Sequence, residues 1–267
     1  LHRDLAQRIS STAWVNSLSH RWAPVQPNHG MQLRTPEGVL VGAICAIYSD
    51  QQIDGRIERF CNPHSWCVLD EYRHASIGLV LALIRQPGYH FTMYTPNPKV
   101  AQVFEGLRFR ALNDRLLYFP NLPSLRRLVG DGFVEARREH IAERLQGVAR
   151  EEFEAHVGIP WLEFVAFGQP GDACLAIYKR LRWKKLPCAG LMHVSSPQAM
   201  LRHGHLLRHH LLLAAGMPVS RIEARFVSAP PPLALRSRRL QPKLVFSRTL
   251  ADAQARDVYS ELMALDI

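Results

Sequence analysis

The sequence lacks an apolar run that is long enough to span a membrane. No uninterrupted apolar stretch among its 267 residues reaches the ~18 residues that a spanning helix needs. The first 19 residues also lack a basic segment that leads into an apolar one, which is the pattern of a secretion signal. We therefore expect a soluble, cytoplasmic protein, although residue 1 is leucine and the sequence leaves open what precedes it.

Cysteine is scarce, and its spacing excludes two common roles. The five cysteines are an odd number and form no C-x-x-C pair, so neither a disulfide framework nor a zinc or redox motif is indicated. No His/Asp pattern accompanies Cys61 or Cys67, and cysteines in apolar strands usually belong to a core. We expect all five to be reduced and buried. They are Cys45, Cys61, Cys67, Cys174 and Cys188.

Acidic residues are also few in comparison with basic ones. Asp and Glu number 23 against 33 Lys and Arg, which gives a formal net charge of +10. Such an excess indicates a polyanionic partner, and a CoA-type cofactor, a nucleic acid or an anionic glycan or lipid surface would each satisfy it. The hydrophobic content of 47% excludes a disordered chain and suits two ordinary domains or one large one.

The first half reads as a strand-rich α/β segment. Apolar runs and turn residues predict the order β-β-β-β-α-β-α-β from Gly30 onward, with the first four strands forming an antiparallel meander. Pro87-Gly88 ends the first of the two helices. The predicted strands cover 31–34, 39–48, 56–61, 66–69, 90–95 and 109–119, and the helices cover 77–84 and 98–106.

The second half approximately repeats this order after a charged helix predicted at 135–156. Residue identity between the halves is faint, but the similar order of elements indicates a structural duplication. We therefore predict two domains, residues 1–125 and 126–267. The second series is predicted as strands at 162–167, 173–181, 188–194, 220–227 and 243–247, with helices at 198–215 and after Pro230–Pro232.

The most informative segment runs from Trp66 to Leu79, W-C-V-L-D-E-Y-R-H-A-S-I-G-L. A strand is predicted to end at Leu69, and the small residues Ala75, Ser76 and Gly78 stand where a helix begins. Such a helix start directs unpaired backbone amides and the positive end of the helix dipole at one point, which suits a pyrophosphate. An ordinary strand-to-helix turn is the alternative interpretation.

This segment resembles the GNAT superfamily of N-acetyltransferases. The family carries R/Q-x-x-G-x-G/A after its fourth strand, and the matching residues are Arg73, Ser76 and Gly78, with Ser76 in place of the first glycine. The resemblance covers about a third of the chain, from Gly30 to Phe119.

A second part of the family pattern follows in the next helix. The family has an Asn at its start, an aromatic residue within it and a Gly-Phe pair after it, which correspond to Asn97, Phe104 and Arg108-Phe109. Many members place at the aromatic position a Tyr that protonates the leaving thiolate, and Phe104 has no proton to give. Tyr94, His90 and Tyr118 are the alternatives nearby.

The resemblance implies an α/β fold of two tandem GNAT-like domains, each a mixed, mostly antiparallel sheet flanked by helices. It implies a V-shaped gap between the fourth and fifth strands, where the pantetheine arm of acetyl-CoA or another acyl-CoA lies along the strand backbone. The residues then expected to bind this co-substrate are Cys67, Val68, Leu69, Arg73, His74, Ala75, Ser76, Ile77, Gly78, Leu79, Asn97 and Phe104.

Three residues are candidates for the catalytic base. His64 has an ordinary pKa near neutrality and lies just before the cofactor strand. Glu58 and Glu71 are carboxylates in the same region. The alternative is that His64 is a loop residue bonded to its own backbone and that both glutamates are surface groups.

The second half shows weaker signals. Its counterpart of the phosphate turn, S-S-P-Q-A-M-L-R-H-G-H, has no run of small residues at the helix start, so we expect that domain to lack a CoA site. His205 and His209 share a helix face, but a third ligand is missing and we predict no metal site. Arg236–Lys243 and Lys184-Lys185 are basic patches that suit solvent, an anionic acceptor or an RNA backbone, without interleaved aromatics for base stacking.

These observations favour an acyl-CoA-dependent N-acyltransferase that transfers an acyl group directly to an amine. Its partner would be a small amine or an anionic glycan precursor. Two alternatives stay open: a peptidoglycan-bridge-type aminoacyltransferase that uses aminoacyl-tRNA, with nucleic acid as a less favoured partner, and a catalytically silent domain that senses acyl-CoA.

Overall fold

The computed structural model describes residues 10–19, 22–113, 115–124, 132–238 and 241–266. They form two compact units, the first made of residues 1–112 and 241–267 and the second of residues 113–240. This division differs from the predicted domains 1–125 and 126–267 in two respects, because residues 113–125 belong to the second unit and the last 27 residues belong to the first. The helices are α1 Ser11–Leu18, α2 Ser76–Ile84, α3 Pro98–Gly106, α4 Arg138–Arg144, α5 Gly147–His156, α6 Pro197–Leu213 and α7 Glu261–Ala264.

The first unit is built on a six-stranded sheet, which we call sheet A. Its strand order is β1-β2-β3-β4-β13-β5. β3 and β4 run parallel, and every other neighbouring pair is antiparallel. The strands are β1 Gly30–Arg34, β2 Leu40–Ile53, β3 Arg56–Val68, β4 His90–Met93, β5 Arg110–Ala111 and β13 Leu244–Phe246.

The two faces of sheet A are covered differently. Helices α2 and α3 bury one face in an apolar cluster that includes Val80, Leu83, Phe91 and Phe104. Side chains alternate along a strand, so Phe60, Asn62 and His64 of β3 lie on the other face. Residues from the C-terminal segment pack on that face as well. Phe60 and Leu250 pack together on that face.

The second unit is built on a seven-stranded sheet, which we call sheet B. Its order is β12-β6-β11-β10-β9-β8-β7, and β10 and β11 are again the parallel pair. Helix α6 packs on one face, where Leu206, Leu207 and Leu211 are buried. The strands are β6 Leu116–Pro120, β7 Phe133–Glu135, β8 Glu163–Gln169, β9 Asp172–Trp183, β10 Leu186–Val194, β11 Val219–Glu223 and β12 Leu235–Ser237.

Each sheet contains one strand that is remote in sequence from its neighbours. In sheet A, β13 lies between β4 and β5, although about 130 residues separate it from β5. In sheet B, β6 lies between β11 and β12. The predicted strand 109–119 is therefore two strands, of which β5 belongs to sheet A and β6 to sheet B.

Three other predicted elements are corrected by the structure. The predicted strands 56–61 and 66–69 form one strand, β3, because the intervening residues stay paired with β2. The predicted charged helix 135–156 is two helices, since Gln146 is extended (φ −135°, ψ 158°). The described element directly after Pro230–Pro232 is strand β12, where a helix was predicted.

Candidate functional site at the gap between two parallel strands

The candidate site begins where β3 and β4 separate. Within the part of the chain that the structure describes, the two strands pair at Phe60–His90 and Cys61–Phe91 and no further. The side chain of Asn62 then spans the separation, and its Nδ2 donates to Thr92 O at 3.0 Å. Beyond this point β3 continues to Val68 with no further β4 pair among the described residues, at the place where the resemblance implies a V-shaped gap.

A β-bulge reorients the end of β3. The register with β2 shifts between Ala43 and Cys45, and Ser65 takes a left-handed conformation (φ 55°). One extra residue reverses the alternation of side chains. As a result, Trp66 and Val68 contact the apolar cluster under α2 and α3, whereas His64 belongs to the opposite face.

A pocket of about 580 Å³ opens at this end of β3. Its walls are the last residues of β3, the start of the helix that follows and the start of α3. Six of the predicted cofactor-binding residues meet in it: Cys67, Val68, Leu69, Arg73, Ser76 and Asn97. The remaining lining residues are Trp66, Asp70, Lys99 and Val100.

The pocket wall carries two basic side chains, Arg73 and Lys99, and one acidic side chain, Asp70. Arg73 and Lys99 each carry a positive charge at its wall. Arg73 forms an ion pair with Asp70 at 2.7 Å, but both side chains are strongly exposed, 71% and 83%. An exposed pair of this kind contributes little stability, so Arg73 can exchange Asp70 for a bound anion at small cost.

The helix after β3 begins earlier than the sequence motif predicts. Asp70–Ala75 form a 3-10 helix that continues directly into α2 at Ser76. The Tyr72 amide already donates to Leu69 O at 2.9 Å, and the Ser76 amide donates to the carbonyl of residue 73. The first turn of this helix therefore starts at Asp70, about one and a half turns before residue 75, where the motif predicts the first available amides.

This winding changes which amides are available to an anion. Asp70 and Glu71 precede the first 3-10 hydrogen bond, so their amides have no acceptor inside the helix. The amides of residues 75–79, which were expected to hold a pyrophosphate, lie within continuous helix instead. The physical reason is that Ser76 replaces the glycine whose freedom would favour an open turn, and no residue in this segment has a positive φ.

The other six predicted cofactor-binding residues lie away from the pocket lining. Leu79 and Phe104 are 5% and 0% exposed and pack in the apolar cluster, so neither can contact a cofactor in this conformation. His74, Ile77 and Gly78 are exposed at the surface of the helix, and Ala75 is half-buried there.

Asn97 lines the pocket but already has a structural role. Its Oδ1 accepts a hydrogen bond from the Val100 amide at 2.9 Å and caps α3, and Pro98 occupies the first helical position. The sequence N-P-K-V therefore encodes a helix start. That start places the neighbouring Lys99 at the pocket wall.

The structure separates the three base candidates. His64 is 2% exposed, and its Nδ1 contacts Ser65 Oγ at 2.8 Å. Burial lowers the pKa of His64 to about 4, so its imidazole is neutral at pH 7. Glu58 Oε2 contacts His90 Nε2 at 2.9 Å. Glu58 precedes Cys67 by nine residues, which is about 30 Å along the strand. Glu71 is exposed and does not line the pocket.

The alternative proton donors are also placed by the structure. The hydroxyl of Tyr94 is bonded to Arg256 O at 3.1 Å, and His90 is engaged by Glu58. Tyr118 belongs to sheet B of the second unit, where it stacks on Trp183 with ring centroids 4.9 Å apart.

Sequence reasoning missed four lining residues: Trp66, Asp70, Lys99 and Val100. Trp66 and Asp70 lie inside the segment that the motif singled out. Lys99 follows the Asn97-Pro98 helix start, a position that the sequence places near the positive end of α3. A search for cations at that helix start, rather than for the capping Asn alone, would have found it.

The structure also gives the surroundings of the cysteines and of the α6 histidine His203. None of the five cysteines forms a disulfide, and all except the half-buried Cys67 are buried. Burial raises the pKa of Cys45 and Cys174 to about 11, which makes them poor nucleophiles. His203 contacts Asp172 at 2.7 Å, and no three His, Cys, Asp or Glu side chains of the described residues are grouped to hold a metal ion.

The second unit repeats the local scheme without the same helix start. β10 and β11 pair over three residues, and β10 has a bulge between Leu191 and His193. Ser196 caps α6 by accepting from the Ala199 amide at 3.0 Å. A smaller pocket of about 200 Å³ lies along α6, between Gly204 and the proline-rich segment 230–232.

Comparisons with solved structures identify the fold. A GCN5-related N-acetyltransferase from Anabaena variabilis ATCC 29413 is similar with a TM-score of 0.53 and 11% identity over 80% of this chain. A conserved protein of unknown function from Enterococcus faecalis V583, titled "Probable N-Acyltransferase", is similar with a TM-score of 0.55 and 10% identity over 91% of this chain. The chain spans 61% and 67% of the lengths of these two proteins.

The chain thus has the GNAT superfamily fold, in the form of two tandem units with mixed, mostly antiparallel sheets. The predicted fold class is confirmed. No protein-family model matches the sequence, and no curated protein matches it. Among the described residues, no helix combines the length and the apolar character needed to cross a membrane.

Proposed function

We propose that the protein is an acyl-CoA-dependent N-acyltransferase, with the acyl-CoA bound in the pocket at the gap between β3 and β4. The observation that carries this proposal is the coincidence of the strand gap with a basic pocket wall. The β3–β4 pairing ends at Cys61, whereas β3 continues along β2 as far as Val68, which lines the pocket. The end of β3 can bind the amides of a pantetheine arm as it would an added strand.

The phosphates belong at the basic wall of the same pocket. Arg73 belongs to the motif where the resemblance expects a pyrophosphate, and Lys99 lines the same pocket. A charge-assisted hydrogen bond from either side chain is stronger than a neutral one. Binding through the amides of residues 75–79 would require the 3-10 turn to open, so we assign the anion chiefly to these two side chains. Ser76, also in the lining, is small enough to let it approach.

The proposed reaction is direct transfer of the acyl group from the thioester to an amine. A neutral amine attacks the thioester carbon, the C–N bond forms, and the C–S bond breaks with its electron pair on sulfur. Direct transfer needs no acyl-enzyme, which agrees with the raised pKa of the buried thiols of Cys61 and Cys174. The formal net charge of +10 favours an acceptor that carries an anionic group.

Isothermal titration with acetyl-CoA tests the proposal. Wild-type protein should bind, and Lys99→Glu or Arg73→Glu should weaken binding about ten- to a hundredfold, since each removes a hydrogen bond to a charged group worth ~1.5–3 kcal/mol. Lys185→Glu is the matched control, because it makes the same charge change at an exposed hairpin of the second unit.

Absence of acetyl-CoA and longer acyl-CoA binding by the wild type would reject the proposal. Salt-sensitive tRNA binding without acyl-CoA binding would favour the aminoacyltransferase alternative. Acyl-CoA binding without transfer to any amine would favour the sensor.

A further inference from the structure

Buried polar atoms without partners concentrate at the strand gap. Five buried side-chain nitrogen or oxygen atoms of the described residues have no hydrogen-bond partner. Two of them, His64 Nε2 and Trp66 Nε1, belong to the part of β3 beyond its last pair with β4. A third, Glu261 Oε2, belongs to a residue whose backbone amide is hydrogen-bonded to Asn62 in that part of β3. An unsatisfied buried group in a native fold calls for an explanation, and an absent ligand is one.

Glu261 is held across the gap by both strands. Its backbone amide donates to Asn62 Oδ1 of β3 at 3.0 Å. Its Oε1 accepts from Thr95 Oγ1, just after β4, at 2.9 Å. One carboxyl oxygen is thereby fixed in position while the other, Oε2, is buried and unpaired. These two contacts fix Glu261 beside Asn62, the first residue of β3 after its last pair with β4.

The charges around Glu261 come from the other elements packed on this face. Lys243, immediately before β13, pairs with Asp257 of the C-terminal segment, and both are fully buried. Burial raises the pKa of Glu261 to about 7, and Asp257 adds to the rise. The Thr95 hydrogen bond, its own backbone and Lys243 act in the lowering direction. The carboxyl therefore titrates near neutrality, as a group that exchanges a proton should.

His64 supplies a second free atom on the same face. It follows Asn62 by two residues, which is about 7 Å along the strand. Its Nδ1 is engaged by Ser65, and its Nε2 is unpaired. A neutral imidazole nitrogen and a carboxylate oxygen both suit the N–H groups of an amine, and a buried carboxylate is stabilised by a cationic partner.

We propose that Glu261 is the proton acceptor for a primary-amine acyl acceptor, with His64 Nε2 as a hydrogen-bonding group beside it. This role rests on the proposed acyltransferase function, to which it adds a catalytic residue and a class of acceptor. The proton that the attacking nitrogen loses as the C–N bond forms goes to Glu261 Oε2. The thiolate left by C–S cleavage takes a proton from solvent, and Glu261 returns its own proton to solvent.

Acetyl-CoA and hydroxylamine provide the test, because hydroxylamine is an amine nucleophile small enough to enter most acceptor sites. CoA release would be followed from pH 5 to 9 in the wild type, Glu261→Gln, Glu261→Asp and Glu151→Gln. Glu151 is an exposed carboxylate of the second unit and controls for the isosteric change. Isothermal titration with acetyl-CoA and a thermal melt accompany each protein.

Wild-type turnover should rise to a plateau as pH passes through 7. Glu261→Gln should lose ~10²–10⁴-fold in kcat, the usual contribution of a general base, and keep its acetyl-CoA affinity. Glu261→Asp should retain part of the activity, which a purely structural carboxyl would not explain, and Glu151→Gln should match the wild type.

Two failures are distinguishable. If the wild type does not bind acetyl-CoA, the proposed function fails and this inference fails with it. If the wild type binds acetyl-CoA but shows no hydroxylamine turnover above background, or if Glu261→Gln turns over as fast as the wild type, the inference is overturned while the cofactor site stands. If Glu261→Gln does not fold, the test uses Glu261→Asp instead. A pH profile of Glu261→Asp that matches the wild type in both rate and midpoint contradicts the role of Glu261 as proton acceptor.

Discussion

Replacing Glu261 with glutamine should stabilise the protein at alkaline pH and leave it unchanged in acid. The carboxyl is 1% exposed, and its pKa rises from an ordinary value of 4.5 to about 7 in the folded state. A carboxyl with a higher pKa when folded holds its proton better in the folded state. The free energy of unfolding therefore falls as pH rises from 4.5 to 7 and stays low above 7.

The size of the effect follows from the shift. The rise of the pKa from 4.5 to about 7 corresponds to about 3 kcal/mol at pH 8 and above. Glutamine keeps the size of the side chain and an oxygen for Thr95, and it cannot ionise. The variant should thus exceed the wild type by about 3 kcal/mol at pH 8 and by almost nothing at pH 4.5.

Urea unfolding at pH 4.5, 6, 7, 8 and 9 measures this difference. Comparing the two proteins at each pH cancels the contributions of all other titrating groups. Glu151→Gln, at an exposed site, should show no pH-dependent difference. A wild-type-to-variant difference that is constant across the range would refute the buried, charge-sensitive placement of Glu261, whether or not the residue takes part in catalysis.

Three further substitutions test the core of the first unit by urea unfolding. Asn62→Leu should cost about 2–5 kcal/mol, because it leaves the Glu261 amide and Thr92 O buried without partners. Lys243→Met should cost about 3–5 kcal/mol by stranding the buried Asp257, and adding Asp257→Leu should recover much of that loss. Phe104→Ala should cost about 3–5 kcal/mol, since the ring is fully buried, and a loss below 1 kcal/mol would restore its assignment as a cofactor contact.

Local periodicity was sufficient for the elements that pack through their own sequence. Helix α2 was predicted at 77–84 and lies at Ser76–Ile84, and α3 was predicted at 98–106 and lies at Pro98–Gly106. Their apolar residues recur with helical spacing, and Pro98 marks a helix start that any fold would keep. The strands of the β2–β3 hairpin were found for the same reason, although the Asn62–Ser65 break was not recognised as a bulge.

The candidate site was predicted as a segment but not in its detailed conformation. The motif located the end of β3 and placed Arg73 and Ser76 at one pocket, as the structure does. It did not predict the 3-10 helix Asp70–Ala75, because whether a turn opens or winds depends on hydrogen bonds among its own residues. It assigned Leu79 and Phe104 to the cofactor by position, but helix packing buries both.

The amino-acid sequence by itself determined the alternation of strands and helices, the two similar series and the small-residue segment after β3, because these depend on patterns within about fifteen residues. Only the tertiary structure placed β13 between β4 and β5, and β6 between β11 and β12, since strand pairing over such distances leaves no local pattern. The same long-range packing brings Glu261 against Asn62, 199 residues earlier in the chain. The position and the raised pKa of the proposed proton acceptor depend on its burial and on its hydrogen bonds with Asn62 and Thr95. Neither the burial nor these partners can be read from the residues next to Glu261 in the sequence.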